Sequence, residues 1–126
     1  MQQKMTVGNV CFIFDKNGEN VLLLKRHKEP MSGKWTGVGG KTGFLEDINL
    51  SCIREAQEET GFSLDFVQLK AVVKTILHND SSSWLLFVYF AKTKETEITD
   101  CDEGILEWVP VKNIFKYNLI ITKQAS

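Results

Sequence analysis

Three glutamates that lie close together in the sequence, Glu55, Glu58 and Glu59, are the residues best suited to carry chemistry. On an α-helix their side chains fall within an arc of about 100°, beside the apolar stripe of the helix. Like charges at this spacing repel one another, and Arg54 offers one ion pair, which cannot neutralise all three. Carboxylate oxygens suit hard cations such as Mg²⁺. The alternative interpretation is a solvated acidic face of an ordinary helix.

A glycine-rich segment, Gly37-Val38-Gly39-Gly40, precedes the three glutamates. Glycine carries no Cβ, so the Gly39-Gly40 backbone can come close to a ligand. A metal ion held beside a bound diphosphate is the chemistry that this arrangement favours.

The elements that must position these residues are predicted from local signals. Asp47 is a plausible N-cap and Gly61 a plausible C-terminal cap, so the sequence predicts a helix over Ile48–Thr60. Asn17-Gly18, between two apolar runs, predicts a β-hairpin. The predicted strands are Thr6–Asp15, Asn20–His27, Trp35–Val38 (closed by Gly39-Gly40), Leu64–Leu77, Ser83–Lys94 and Glu107–Val111, with a loop at Lys28–Lys34 and a turn at His78–Ser82. We therefore expect a single domain, residues 1–126, richer in strand than in helix.

Composition and charge exclude several classes of protein. The net charge of −1 lacks the basic excess of a protein that binds bulk nucleic acid. No apolar run approaches the ~20 residues of a membrane helix, and the N-terminus does not resemble a signal peptide. Cys11, Cys52 and Cys101 are odd in number and lack CxxC spacing, which argues against a zinc site or a disulfide framework and favours a cytoplasmic location. Although the net charge is near zero, residues 25–41 are mainly basic and residues 46–59 are mainly acidic.

The order of these residues resembles a known motif. Gly40, Glu46 and the run Arg54-Glu55-Ala56-Gln57-Glu58-Glu59-Thr60-Gly61-Phe62 match the Nudix box, G-x5-E-x7-R-E-U-x-E-E-x-G-U, in every fixed letter and both spacers. The box covers residues 40–62. The two aliphatic positions of the motif differ slightly from the usual pattern: Ala56 is a small residue, and Phe62 is aromatic.

The resemblance implies an α/β (α+β) fold, an α/β/α sandwich with a mixed β-sheet, and hydrolysis of a nucleoside diphosphate linked to another group. It implies Mg²⁺ as cofactor, with Mn²⁺ as a substitute. By the same resemblance Glu55, Glu58 and Glu59 are metal ligands together with the Gly39 carbonyl, and Glu55 or Glu59 helps to deprotonate the attacking water. Arg54 orients the glutamates, and Glu46 holds the loop to the helix through Arg54.

A further acid outside the box often completes the metal site in this family. Glu103 is the candidate here; the alternative is a solvated loop acid. His27 and His78 have no matching partner, so neither is assigned a catalytic role.

The segment Gly33–Lys41 is similar to that of MutT-type enzymes, which clear oxidised nucleoside triphosphates. This likeness makes Arg26, Trp35 and Lys41 candidate substrate-binding residues. The alternatives are a core aromatic for Trp35 and a solvated cation for Arg26.

The leading hypothesis is a Mg²⁺-dependent pyrophosphohydrolase of nucleoside triphosphates, with oxidised purine nucleotides such as 8-oxo-dGTP among the candidates. Its rivals are hydrolysis of a linked sugar, a dinucleotide or an RNA 5′ end, and a catalytically silent nucleotide-binding domain. The closing helix of the family is expected to be shortened or missing after Val111–Tyr117. An exposed apolar surface at Leu119-Ile120-Ile121 would then suit a second subunit, so the chain is expected to be a monomer or a homodimer.

Overall fold

A computed structural model describes residues 4–27, 32–76, 82–98, 101–117 and 119. Within them lie seven strands, one α-helix and one 3-10 helix. The strands are β1 (Lys4–Phe14), β2 (Asn20–Arg26), β3 (Trp35–Thr36), β4 (Val38–Lys41), β5 (Gln68–Ile76), β6 (Ser82–Lys92) and β7 (Gly104–Pro110). The α-helix, α1, is Ile48–Thr60, and the 3-10 helix is Val111–Lys116.

The strands form one mixed sheet. Its main path is β3-β2-β1-β6-β5, with β4 also paired to β1 and β7 also paired to β2. The central pair, β1 and β6, is parallel and runs in register from Lys4↔Ser82 to Phe14↔Lys92. The other pairs are antiparallel.

A fork between β1 and β2 holds the segment that leads to the site. The two strands pair at Ile13↔Leu22 and Phe14↔Val21. Beyond these pairs β3 takes the edge of β2 and β4 takes the edge of β1, so residues 35–41 fill the fork. Gly37 lies where the segment crosses from one strand to the other, and a Cβ there would be 2.5 Å from the Cys11 carbonyl oxygen. A side chain at this position would therefore force the fork apart.

Alternating side chains place a core on each face of the sheet. On one face Cys11, Ile13 and Tyr89 pack with Cys52 and Ala56 of α1. On the other face the buried residues pack with side chains of the 3-10 helix and the chain after it; they are Val10, Phe12, Val21, Leu23, Val88 and Val109. The helical segments thus cover both faces, which confirms the predicted α+β class and mixed sheet.

The local predictions around α1 and the first hairpin are confirmed. The Asp47 side chain accepts a hydrogen bond from the Leu50 N–H at 3.0 Å, and Gly61 ends the helix with φ 82°. Gly18, in the hairpin turn, likewise has a positive φ of 74°.

Three differences from the predicted boundaries are the largest, and the other strand ends differ by one or two residues. Gly39 and Gly40 are part of strand β4 and do not form a closing turn. Strand β5 begins at Gln68, not Leu64, because the preceding loop packs Phe62, Leu64 and Val67 into the core under α1. Strand β7 begins three residues earlier than predicted, at Gly104 instead of Glu107.

Several predicted features lie outside the described residues, among them residues 28–31 of the first loop and 78–81 of the predicted turn. Ile120 and Ile121 of the proposed subunit surface are also outside. Leu119 is described, and it packs against the core opposite α1 with a bridge to Trp35, so its predicted exposure is wrong. No helix in the described part of the chain is long and apolar enough to cross a membrane.

Candidate active site

Glu55 and Glu59 lie one helical turn apart and face strand β4. Glu59 is 7% exposed, and its Oε1 accepts a hydrogen bond from the Gly39 N–H at 3.2 Å. The Glu55 carboxylate lies so close to Gly40 that a Cβ there would be 2.6 Å from Glu55 Oε2. The missing Cβ of Gly40 therefore lets the Glu55 carboxylate reach the backbone of β4.

Burial dominates the electrostatics of this pair. It raises the pKa of the Glu59 carboxyl to about 8, and the carboxylates of Glu55 and Glu103 add to the shift against the Gly39 N–H. Burial likewise raises the pKa of Glu55, with the negative charge of Glu58 acting in the same direction and Arg54 opposing it. The surroundings of the pair therefore oppose its ionisation when no cation is bound.

Arg54 organises a second, more exposed set of carboxylates. Its Nε and Nη2 donate to the two oxygens of Glu46 at 2.6 and 3.0 Å, and its Nη1 donates to both oxygens of Glu58 at 3.1 and 3.2 Å. Nη1 also lies 3.3 Å from Glu55 Oε2. Hydrogen bonds from Arg54, then from the Gly43 N–H, and to a smaller extent from the Ser51 hydroxyl lower the pKa of Glu46 to about 2.

The donor set fits a hard divalent cation, although it is not closed around one. Glu55 and Glu59 can supply oxygen ligands, and the missing Cβ of Gly40 lets the Glu55 carboxylate lie against the backbone of β4. Among the described residues no group of three or more His, Cys, Asp or Glu side chains is arranged to hold a metal ion. Glu58 faces Arg54, so coordination through Glu58 would require it to exchange that contact for the metal.

Glu103 and Arg26 come to the same end of the sheet. Arg26 is paired with Gly104 across β2 and β7, and the His27 N–H donates to the Glu103 carbonyl at 3.1 Å. Glu103 is near enough to Glu59 to raise its pKa, after burial and Glu55. This position is consistent with the predicted role of Glu103, which stays a prediction.

Trp35 lies on the other face of the sheet from Glu55 and Glu59, whereas Lys41 follows Gly40 at the end of β4. Trp35 packs on the face opposite α1, edge-on to Tyr117 with ring centroids 5.0 Å apart. Lys25 Nζ lies 6.0 Å from the centre of the Trp35 ring. Lys41 is exposed at the end of β4, paired with Gly8. The substrate-binding roles of Trp35 and Lys41 remain predictions.

Sequence reasoning missed polar residues next to the site. Asn9, Thr42 and Ser51 form a hydrogen-bonded cluster beneath the helix. The sequence signal that could have indicated this cluster is Asn9, a polar residue directly before the apolar run Val10–Phe14. Cys101 was also missed: burial raises the pKa of its thiol, and the charges of Glu59 and Glu103 raise it further.

Comparison with known proteins identifies the family. The family model for the NUDIX domain matches residues 4–124, and the chain belongs to this family. An uncharacterised Nudix hydrolase, YvcI of Bacillus subtilis, is 34% identical over 100 residues, which cover 76% of this chain and 61% of the relative.

Two further relatives carry more specific names. The oxidized purine nucleoside triphosphate hydrolase of Danio rerio is 28% identical over 94 residues, covering 75% of this chain and 60% of that protein. The crystal structure of a MutT protein from Bacillus halodurans superposes with a TM-score of 0.77 at 29% identity, covering 90% of this chain and 74% of that one. The chain thus spans about 60% of the length of these two curated relatives. The MutT-type resemblance of the sequence is confirmed.

Proposed function

We propose that the chain is a metal-dependent hydrolase of phosphoric anhydride bonds and that its substrate is a nucleoside triphosphate. The observation that carries this proposal is the placement of half-buried Glu55 and buried Glu59 against the backbone of Gly39 and Gly40. Membership of the NUDIX family supports it.

Mg²⁺ is the proposed cofactor, with Mn²⁺ as a substitute. Glu55, Glu58, Glu59, the Gly39 carbonyl and Glu103 would hold it, and when bound it would neutralise phosphate oxygens and lower the pKa of a bound water. The chain's own residues supply position and a proton acceptor. Glu59 or Glu55 accepts the proton of the attacking water, and Arg54 keeps the carboxylates oriented. No covalent intermediate is needed.

Substrate binding is proposed for residues around the same end of the sheet. Arg26, next to Gly104 in the sheet, would contact phosphate oxygens. Lys41 follows Gly40 and would contribute a second positive charge. Trp35, which is partly exposed, would contact the base.

Oxidised purine nucleotides are the proposed substrate class within the triphosphates. The resemblance to MutT-type proteins and to a relative named for this activity supports the choice. We also propose that the chain is a single domain with a cytoplasmic location and a monomeric or homodimeric state. The composition and the cysteine pattern of the chain support this part of the proposal.

A panel of nucleotides incubated with Mg²⁺ tests the proposal. Nucleoside triphosphates, their 8-oxo forms, a nucleoside diphosphate sugar and a dinucleotide are supplied separately, and pyrophosphate and phosphate release are followed in parallel. We expect pyrophosphate release from triphosphates, fastest with an oxidised purine, and much slower release with Glu59→Gln. Turnover of the sugar or dinucleotide substrate alone would reassign the substrate, and inactivity toward the whole panel would refute hydrolysis.

A further inference from the structure

A buried polar cluster joins the three elements that frame the site. Asn9 of β1 donates from Nδ2 to the Thr42 hydroxyl at 3.2 Å and to the Ser51 hydroxyl at 2.9 Å. The Thr42 hydroxyl in turn donates to Ser51 Oγ at 3.1 Å. Asn9 is 3% exposed and Ser51 is fully buried. The cluster therefore connects β1, the residue that follows β4, and α1 in the interior.

The hydrogen bonds of the cluster have one consistent direction. A hydroxyl has a single proton, and its oxygen can also accept. The Thr42 proton is directed to Ser51 Oγ, so the Thr42 oxygen accepts one amide proton of Asn9. The Ser51 oxygen accepts the other amide proton together with the Thr42 proton. Both protons of the Asn9 amide therefore have a partner within the cluster.

This arrangement has a free-energy cost in the folded protein. Among the described residues, Asn9 Oδ1 is buried without a hydrogen-bond partner. A buried acceptor without a partner destabilises a fold, whereas an apolar side chain of similar shape avoids that penalty. The amide is therefore better explained by what it positions than by the stability it adds.

Two routes lead from Asn9 to the candidate ligand Glu55. The backbone of Asn9 pairs with Gly40, which lies directly against the Glu55 carboxylate. Its side chain donates to the Ser51 hydroxyl of α1, one helical turn before Glu55. Asn9 thus contacts both the strand that Glu55 faces and the helix that carries Glu55.

We propose that Asn9, Thr42 and Ser51 are positioning residues that align α1 against β4 and so hold Glu55 and Glu59 in the geometry required for metal binding and hydrolysis. This inference rests on the proposed function of the same site. It concerns residues that are not proposed to contact the substrate or the metal and that act through the pairing of β1 with β4 and the contact with α1.

The test uses isosteric substitutions in the full chain. Asn9→Leu and Thr42→Val remove hydrogen-bonding groups with little change of shape, and Ser51→Ala removes the hydroxyl at the centre of the cluster. For each variant we would measure kcat, KM, the Mg²⁺ concentration that gives half-maximal rate, and Tm. We expect kcat to fall and the Mg²⁺ midpoint to rise, by roughly 10-fold together, because loss of groups that orient ligands typically has an effect of about 10- to 100-fold. KM for the nucleotide should change less than kcat. Thr42→Ser, which keeps the hydroxyl, should recover most of the lost rate.

A matched control separates position from stability. Thr93 is a buried threonine whose hydroxyl accepts from the Glu95 N–H at 3.1 Å, and it lies outside the cluster. Thr93→Val should lower Tm and leave the Mg²⁺ midpoint unchanged, whereas Asn9→Leu should keep or raise Tm and change the midpoint.

Normal kcat and Mg²⁺ midpoint in Asn9→Leu and Ser51→Ala would overturn the inference, as would kinetic losses that simply follow Tm through the whole series, Thr93→Val included. If the wild-type protein hydrolyses no nucleotide, the proposed function fails. Mn²⁺ binding followed by electron paramagnetic resonance then still compares the variants with wild type, and equal affinities there would refute the positioning role.

Discussion

Two groups of carboxylates on α1 and the loop before it have opposite environments. We call Glu55 and Glu59 the inner pair, because they face β4 and are raised in pKa mainly by burial. We call Glu46 and Glu58 the outer pair, because both are hydrogen-bonded to Arg54 and are more exposed. The same residue type, within a few positions of sequence, is thus placed once where its charge is matched and once where it is not.

The difference indicates a division of labour. Arg54 gives the outer pair a permanent cation, and Glu46 has its pKa lowered to about 2, chiefly by that guanidinium. The inner pair has Arg54 on one side of Glu55 and a backbone N–H on Glu59. Ionisation of the inner pair is therefore costly in the free protein, and a bound divalent ion would offset that cost. The outer pair supports the fold, whereas the inner pair is arranged for a ligand.

The largest expected effect follows from removing one charge of the inner pair. Glu59→Gln keeps the shape of the side chain and removes both a candidate metal ligand and a candidate proton acceptor. We expect turnover in the presence of Mg²⁺ to fall by about 10²- to 10⁴-fold, the range typical of an acid–base group. Glu97→Gln, at an exposed loop position, is the control. Wild-type turnover in Glu59→Gln would mean that the inner pair is not the reactive one.

Removing the cation of the outer pair should have a smaller effect. Arg54→Met leaves Glu46 and Glu58 without their donor, so α1 loses its connection to the loop. We expect turnover to fall by roughly 10-fold, together with a lower Tm. Arg54→Lys should recover part of the loss, because an ammonium group carries the charge but cannot make the forked contact. Lys94→Met, which removes another exposed positive charge, serves as the control. Equal activity of Arg54→Met, Arg54→Lys and Lys94→Met would contradict the proposed division of roles between the inner and outer pairs.

The pH dependence of stability should distinguish the two pairs in metal-free protein. Glu59 in the folded chain has a pKa of about 8, above its ordinary value of 4.5. Between these values the unfolded chain releases a proton that the folded chain keeps, so stability should decrease as pH rises from about 4.5 to 8.

Glu59→Gln removes this decrease, and its metal-free Tm at pH 8 should exceed that of wild type by roughly 5 °C. Added Mg²⁺ should raise Tm more in wild type than in the variant, because the ion binds the folded state. Thermal melts at pH 5, 6.5 and 8, with chelator and with Mg²⁺, provide the measurement. A wild-type Tm that does not change over this pH range would show that the pKa of Glu59 is not raised in the folded protein.

The smallest effect belongs to Glu46 at acid pH. Its pKa is lowered from 4.5 to about 2 in the folded protein, so its stabilising contribution is complete above pH 4.5 and is lost as pH falls through 2. Glu46→Gln should therefore be less stable than wild type at pH 6, with a difference that narrows between pH 4.5 and 2. Urea unfolding at several pH values would measure it. A gap that stays constant down to pH 2 would assign the role of Glu46 to shape instead of charge.

The sequence was most informative where structure depends on neighbouring residues. Asp47 and Gly61 mark the ends of α1 through contacts within a few positions, so the boundaries of the helix were predictable. The class of fold followed from the box motif. The site residues on α1 followed from it too, because one helix presents Glu55 and Glu59 to the same side.

Features that depend on distant partners could not be predicted in the same way. Gly39-Gly40 reads locally as a turn. In the structure these residues belong to strand β4, which pairs with β1. The pairing brings Gly39 so close to β1 that a Cβ would be 2.1 Å from the Asn9 carbonyl oxygen. The cluster of Asn9, Thr42 and Ser51 likewise could not be predicted from the sequence, because strand pairing and helix packing bring its members together.

The fork between β1 and β2 has a consequence for how the molecule acquires its site. Turns of α1 form from local contacts, whereas β4 needs β1, and β1 is completed by β6 from a remote part of the chain. Pairings of such high contact order form slowly, because a long loop must close before they contribute. An excised peptide covering residues 37–62 contains the whole motif but lacks β1, and an isolated helix of 13 residues is marginal in water. We expect that peptide to show little helicity and no Mg²⁺ affinity, so metal affinity would be acquired during refolding only when the sheet is complete.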